Sequence, residues 1–218
     1  MSARSKKPRK KATSSSSQGS SASSSSGSEE EIEPSAHEWG LSSILTWPEE
    51  THGFLFTSRW IPEKPDHGKW YLNVNYQLLD NVRVGMDYRP LTNDASILAN
   101  WRVFSEKGKW RPALIVGTSN DDFGGFNSQS YYATFAKALH TTKGGTTFSL
   151  YGGATHIVEL EETRPVGGLH VRHEQWSALF MYSGIQEHFS LSHDIGHHTI
   201  SFVLFDLELP GVSYSRRF

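Results

Sequence analysis

The chain predicts an all-β fold: an antiparallel up-and-down β-barrel of about 10–12 strands behind a disordered N-terminal tail. Three observations carry that expectation. Apolar and polar residues alternate with a period of two through most of the second half of the chain, which places them on opposite faces of strands. The patterned segments are short and are joined by turns rich in Gly, Asn, Asp and Lys, with no helical period between them. Consecutive antiparallel strands of even spacing close most simply into a barrel, which leaves no exposed edge.

Composition narrows the classes. The 218 residues include no Cys, so there is no disulfide framework, thiol nucleophile or thiolate metal site. Against 23 acidic residues stand 21 basic ones, a formal charge of -2, and no bulk preference for nucleic acid follows from that balance. An apolar run of about 18 residues, the length of a membrane helix, occurs nowhere. Membrane-spanning strands remain allowed, because they carry only half that apolar density.

Residues 1–34 read as a tail: a basic cluster (Arg4, Lys6, Lys7, Arg9, Lys10, Lys11), a Ser/Gly run, then Glu29, Glu30, Glu31 and Glu33. Such a segment buries too little apolar surface to offset its chain entropy. It also lacks the apolar stretch of a secretory signal. Residues 35–52 form a lead-in with Trp39, Leu41, Ile44, Leu45 and Trp47 available for packing, and 53–218 is the barrel domain.

The domain opens with a strand over Gly53–Trp60, and a Pro-bearing loop leads to the most regular stretch of the chain, Lys69–Arg89. There Trp70, Leu72, Val74, Tyr76 and Leu78 share one face and Lys69, Asn73, Asn75 and Gln77 the other. After Asp80-Asn81 the alternation resumes, with Val82, Val84, Met86 and Tyr88 opposite Arg83, Gly85, Asp87 and Arg89. Asn and Asp tolerate the left-handed backbone of a tight hairpin turn. Further strands are expected over Ser96–Phe104, Arg111–Ser119, Ser130–Leu139 and Thr146–Val158. The last five lie over Gly167–His173, Trp176–Ile185, His188–His193, Thr199–Leu207 and Val212–Phe218. Asn120–Gln129 is the longest loop, and Glu159–Arg164 is a charged one.

Periodicity does not say which face points outward. Full charges in mid-strand (Arg83, Asp87, Arg102, Arg172) and aromatics near strand ends (Trp60, Trp70, Tyr88, Trp101, Trp110, Trp176, Tyr214) point to an apolar face turned to lipid, with aromatic belts at the interfaces. Val212, Tyr214, Arg216 and Phe218 share the outward face of the last strand. The terminal GVSYSRRF resembles the C-terminal signature of bacterial outer-membrane β-barrel proteins, with Arg216 as its one departure. VRVGMDYRPL, RPALIVGTSNDDFGG and SYYATFAKAL are similar in texture to exopolysaccharide-associated outer-membrane barrels. The resemblance implies an outer-membrane barrel with polysaccharide secretion as the expected link. Its partners would be membrane lipid and the barrel insertion machinery, with Tyr214 and Phe218 as the assembly signal.

The resulting expectation is an outer-membrane-type barrel acting as a narrow pore, anchor or secretion-associated barrel, lined by Asn73, Asn75, Arg83, Asp87, Arg102 and Arg172. No cofactor or catalytic residue is implied, and the transported solute is open. A soluble barrel binding a hydrophobic small ligand is the alternative, placed in the cytoplasm; an organelle outer membrane is the other location. A membrane-barrel lipid hydrolase built from Ser190 or Ser192, His188 or His193, and Asp194 or Glu187 comes third. His193, Asp194, His197 and His198 are candidate metal ligands by residue type, although strand spacing does not gather them. Arg83, Arg102 and Arg172 have two readings, a basic lumen stripe that attracts anionic solutes or a structural lumen network paired with Asp87 and Glu174. The Gly pairs precede no helix, so turns and strand bends explain them better than phosphate cradles.

Overall fold

Alternation as strict as that of 70–89 forms a sheet, and a sheet with one wholly apolar face must hide that face or its edges. The computed structural model of the chain describes residues 53–218 except 121, 124, 125 and 128, so the readings of 1–34 and 35–52 fall outside the described residues. Twelve strands close an antiparallel barrel. The first five are β1 (Phe54–Trp60), β2 (Trp70–Leu79), β3 (Val82–Arg89), β4 (Asp94–Phe104) and β5 (Ala113–Ser119). Two short strands, β6 (Asp122–Phe123) and β7 (Phe126–Asn127), pair with each other outside the ring. The barrel resumes with β8 (Ser130–Thr141), β9 (Thr147–Ile157), β10 (Glu162–His173) and β11 (Trp176–Tyr182). It ends with β12 (Glu187–Ile195), β13 (His198–Phe205) and β14 (Leu209–Arg217). A single helical turn, α1 (Asp66–Lys69), lies between β1 and β2.

Sequence neighbours pair throughout, β5 reaching β8 across the β6–β7 excursion, and β14 pairs with β1 to complete the ring. At that seam Phe54 donates its N–H to the Phe218 carbonyl at 3.3 Å and Phe218 donates to the Phe54 carbonyl at 2.9 Å. Because strand direction alternates, that seam shares one rim with the turns after β2, β4, β8, β10 and β12. This is the turn rim. The connections after β1, β3, β5, β9, β11 and β13 form the opposite, loop rim.

Three β-bulges, at Gln77/Leu79, Arg102/Phe104 and Ala138/His140, all fall near the turn rim, where bulges bend strands without interrupting the wall. Strand ends shift from the sequence reading by one to five residues at most elements, as where β11 stops at Tyr182 and β14 starts at Leu209, and two of the shifts have a local cause. Arg111 belongs to a turn, because Lys107 and Arg111 close a tight bridge, so β5 starts at Ala113. The charged segment 159–164 is partly strand: β10 begins at Glu162 and includes Pro165, paired with Ala154. Its ladder to β11 starts only at Gly167, so Pro165 sits where β10 has one neighbour and a missing N–H does little harm.

Inward glycines let tyrosines lie along the inner wall. Gly117 is paired with Tyr132, and a Cβ there would collide with the Ala99 carbonyl, the Asn100 amide and the Tyr132 hydroxyl. Gly168, paired with Tyr151, would likewise collide with the Tyr151 ring and the Phe180 carbonyl.

Candidate functional site

The interior is the first candidate site, and the pleat delivers its side chains. Thr57 and Arg59 of β1, Tyr71, Asn73 and Gln77 of β2, and Arg83, Asp87 and Arg89 of β3 are all buried. Asn100, Thr134, Thr155, His170, Ser177, His188, Ser190, Ser192, Thr199, Ser201, Ser213 and Ser215 continue the polar set around the ring. Between them lie the outward positions, where Val74, Met86, Ile97, Phe135, Leu150, Leu169, Phe180, Leu191, Ile200, Phe202 and Val212 are exposed. The inner face is thus largely polar, with some apolar side chains among it, and the outer face largely apolar.

The inner polar groups are knitted together. Asp87 accepts hydrogen bonds from the Tyr71 hydroxyl and the Asn73 amide, and the Asn75 amide donates to Asn73. Arg83 Nε donates to Gln77 Oε1 at 3.3 Å, and the Tyr132 hydroxyl donates to Asn100. Arg89 pairs with Asp94 at 2.9 Å and donates to the Asn120 carbonyl. The Arg59 guanidinium lies 4.5 Å from the centre of the Tyr71 ring. Charges out of water persist only when paired or hydrogen-bonded in this way.

An apolar cluster fills part of the loop half of the interior. Val166, Leu179, Met181, Val203 and Phe205 pack with Ile61, and Leu209 leans on them. The β1–β2 connection folds over this cluster and holds the Lys64 ammonium 3.3 Å from the centre of the Phe205 ring. Lys64 is 5 % exposed, Asn73 6 % and Arg83 3 %. Side chains, not solvent, occupy the interior at these levels.

All six lining candidates lie on the inner face: Asn73, Arg83 and Asp87 are buried, and Asn75, Arg102 and Arg172 are half-buried. The partners differ from expectation: Asp87 accepts from Tyr71 and Asn73, Arg83 donates to Gln77, and Arg102 donates to the Asp80 carbonyl at 2.8 Å. Arg172 faces Asp194 at 3.6 Å, because Asp194 is inward on β12 while Glu174 is in an exposed turn. Asp194 also accepts a hydrogen bond from Thr199 at 2.6 Å. Arg59, Arg89, Tyr71 and Tyr132 were not singled out as lining groups. Arg89 and Tyr71 were legible in the alternation, whereas Tyr132 joins the network only through the gap left by Gly117, which no strand pattern reveals.

Strand alternation separates the candidate metal ligands. His193 stacks outward on Trp176, ring centres 4.3 Å apart, while Asp194 points inward. His197 sits in an exposed turn, and His198 Nδ1 lies 2.7 Å from the Tyr214 hydroxyl on the outer face. Among the described residues no group of three or more His, Asp or Glu side chains is placed to hold a metal ion. The hydrolase candidates have other partners: the Ser192 hydroxyl donates to Ser201 at 2.8 Å, and His188 Nδ1 accepts the Asp206 N–H at 3.2 Å. His193 and Glu187 face the other side of β12 from Ser190 and Ser192.

No family model and no curated protein matches this chain. Trp60 and Trp70 pair in register near the loop rim, with Tyr131 at the start of β8 on the same side. Trp101, Trp176, Phe54 and Phe218 lie toward the turn rim, and aliphatic and Phe side chains fill the band between. Trp70 Nε1 donates to Ser58 at 3.2 Å. Arg216, the departure from the terminal signature, is two residues from the rim, its guanidinium 4.5 Å from the centre of the Phe218 ring. An arginine so close to an edge reaches water while its stem stays on apolar surface.

Proposed function

We propose that this chain is a membrane-spanning β-barrel of the outer-membrane type, closed inside by its own side chains, that serves as an anchor or secretion-associated barrel. The observation that carries the reading is the reversed polarity of the wall. Twenty-seven large apolar side chains are exposed among the described residues, while the inner face buries arginines, an aspartate, amides and hydroxyls. In water, soluble monomers rarely expose contiguous apolar patches beyond a few hundred Å². Here such exposed apolar positions recur on eleven of the twelve barrel strands, all but β5. In hydrocarbon the same wall is well solvated, and the closed ladder leaves the span without a free edge.

Within that reading, the packed interior supports an anchor or a gated path over an open pore. The loop-half cluster under Lys64 and the Tyr71–Asn73–Asp87 network occupy the space that a permanently conducting channel would need. The alternative, a soluble barrel around a hydrophobic ligand, has the inner apolar cluster in its favour. Those side chains, however, pack on one another.

The test is extraction and gel mobility of the full chain. The reading expects the protein to stay in the membrane pellet through alkaline carbonate, and the unheated form to migrate faster than the boiled form. Recovery in the soluble fraction, with one mobility, would favour the ligand-binding barrel.

A further inference from the structure

The two rims differ in charge. The loop-rim connections carry Glu63, Asp66, Glu159, Glu161, Asp206 and Glu208 against Lys64 and Lys69, and Lys64 is buried. The turn-rim connections carry Lys107, Lys109, Arg111 and Lys143 against Asp80, Glu106 and Glu174, and the basic residues concentrate in the connection between β4 and β5, on either side of Trp110. Its one acid, Glu106, is engaged by Lys137 of β8.

This turn is a built element. Lys107 and Arg111 exchange backbone hydrogen bonds at 3.0 and 3.4 Å, and Gly108 takes φ +56° to let the chain reverse. The Arg111 guanidinium donates twice to the Ser105 carbonyl, at 3.1 and 3.3 Å. Trp110 is held out at the tip, 87 % exposed, the most exposed of the large apolar side chains described. The Lys109 ammonium is 5.7 Å from the centre of its ring, and all three cations are exposed.

An exposed indole flanked in sequence by cations suits the edge of a bilayer, where Trp settles among headgroups and basic side chains meet phosphates. Resting on the membrane reading, we propose that the 105–111 turn docks on anionic phospholipid headgroups of the leaflet at the turn rim. Trp110 lies at headgroup depth, and Lys107, Lys109 and Arg111 contact the phosphates. An acidic protein would also match the cations. Lipid is favoured because the turn projects from the same rim as the outward aromatics Phe54, Trp101, Trp176 and Phe218, which the membrane reading places at that interface.

The experiment reconstitutes the full chain in mixed phosphatidylcholine–phosphatidylglycerol vesicles, with bromine on the upper acyl chain of either lipid. The contribution of Trp110 is isolated as the emission difference between wild type and Trp110→Phe. A Lys107→Gln, Lys109→Gln, Arg111→Gln variant is compared after its unheated gel mobility shows a closed barrel. The expected result is stronger quenching of Trp110 by brominated phosphatidylglycerol, a preference of roughly fivefold or more that falls to near unity in the triple variant. Equal quenching by the two lipids overturns the proposal. So does absence of Trp110 quenching while the remaining tryptophans are quenched, the outcome expected for a turn reserved for an acidic protein. Failure of every tryptophan to be quenched defeats the membrane reading itself and this inference with it.

Discussion

Val74 and Asn73 are neighbours in the chain with opposite surroundings. Asn73 is buried against Asp87, and Val74 is 39 % exposed on the outer wall. Because Val74 makes so little use of the interior, Val74→Arg separates the two solvents. Near a bilayer midplane it should cost about 2–4 kcal/mol. In water the same exposed substitution should change stability by less than about 0.5 kcal/mol. Urea titration of the vesicle-inserted protein measures the difference, and a near-zero cost in vesicles contradicts the lipid-facing placement. On the inner face, Asp87→Ala leaves the donors of Tyr71 and Asn73 without their shared acceptor. It should destabilise by about 3 kcal/mol, and Asp87→Asn, which keeps an acceptor oxygen, by less. The same titration in detergent checks the order of the two. Equal losses would mean that a neutral acceptor oxygen cannot stand in for the carboxylate.

At the level of elements, the strands were legible wherever alternation was strict. The hairpin of β2 and β3 lies where the 70–89 pattern puts it, and its turn is Asp80-Asn81. Boundaries moved where local chemistry overrode the pattern. Arg111 was drawn into a bridge with Lys107, and Glu162–Arg164 were recruited to β10 by pairing with β9. Register across strands was not legible, so the Gly117–Tyr132 and Gly168–Tyr151 pairings, and the Arg172–Asp194 contact, had no signal in one sequence. The element with the sharpest prediction is β14. Its end meets β1 through the Phe218–Phe54 bonds, and Phe218 itself is 66 % exposed. An insertion machine that reads a terminal aromatic strand would lose its cue on deletion of Phe218, whereas purified protein folding in detergent loses only the last rung of one ladder. The amount of membrane-inserted protein in cells should therefore fall while detergent refolding is nearly unchanged. Equal insertion of the two forms would reject the assembly-signal role.

For the whole molecule, the fold class was readable because a period of two is a property of each strand, and twelve strands lie within the expected range. The direction of the greasy face was not readable from periodicity, since a barrel and its inverse share one alternation. What separates them is closure, which fixes Asn73, Arg83, Asp87 and Ser213 inside and Val74, Met86 and Val212 outside. The packed interior was also hidden, because Ile61 and Lys64 belong to a loop whose path over Phe205 leaves no trace in the strand pattern. Removal of residues 1–34, whose composition offers no apolar face, should leave the thermal midpoint of the barrel unchanged; a lowered midpoint would assign that segment a packing role. The central claim, that the outer wall meets hydrocarbon, is tested most directly by spin labels, which the absence of cysteine makes clean. Nitroxides are placed one at a time at Val74→Cys, Leu150→Cys and Phe202→Cys in the vesicle-bound chain. Their relaxation is then compared under oxygen, which concentrates in acyl chains, and under a water-soluble nickel chelate. The account predicts strong oxygen and weak nickel contact at all three sites; strong nickel contact at these outward positions would contradict it.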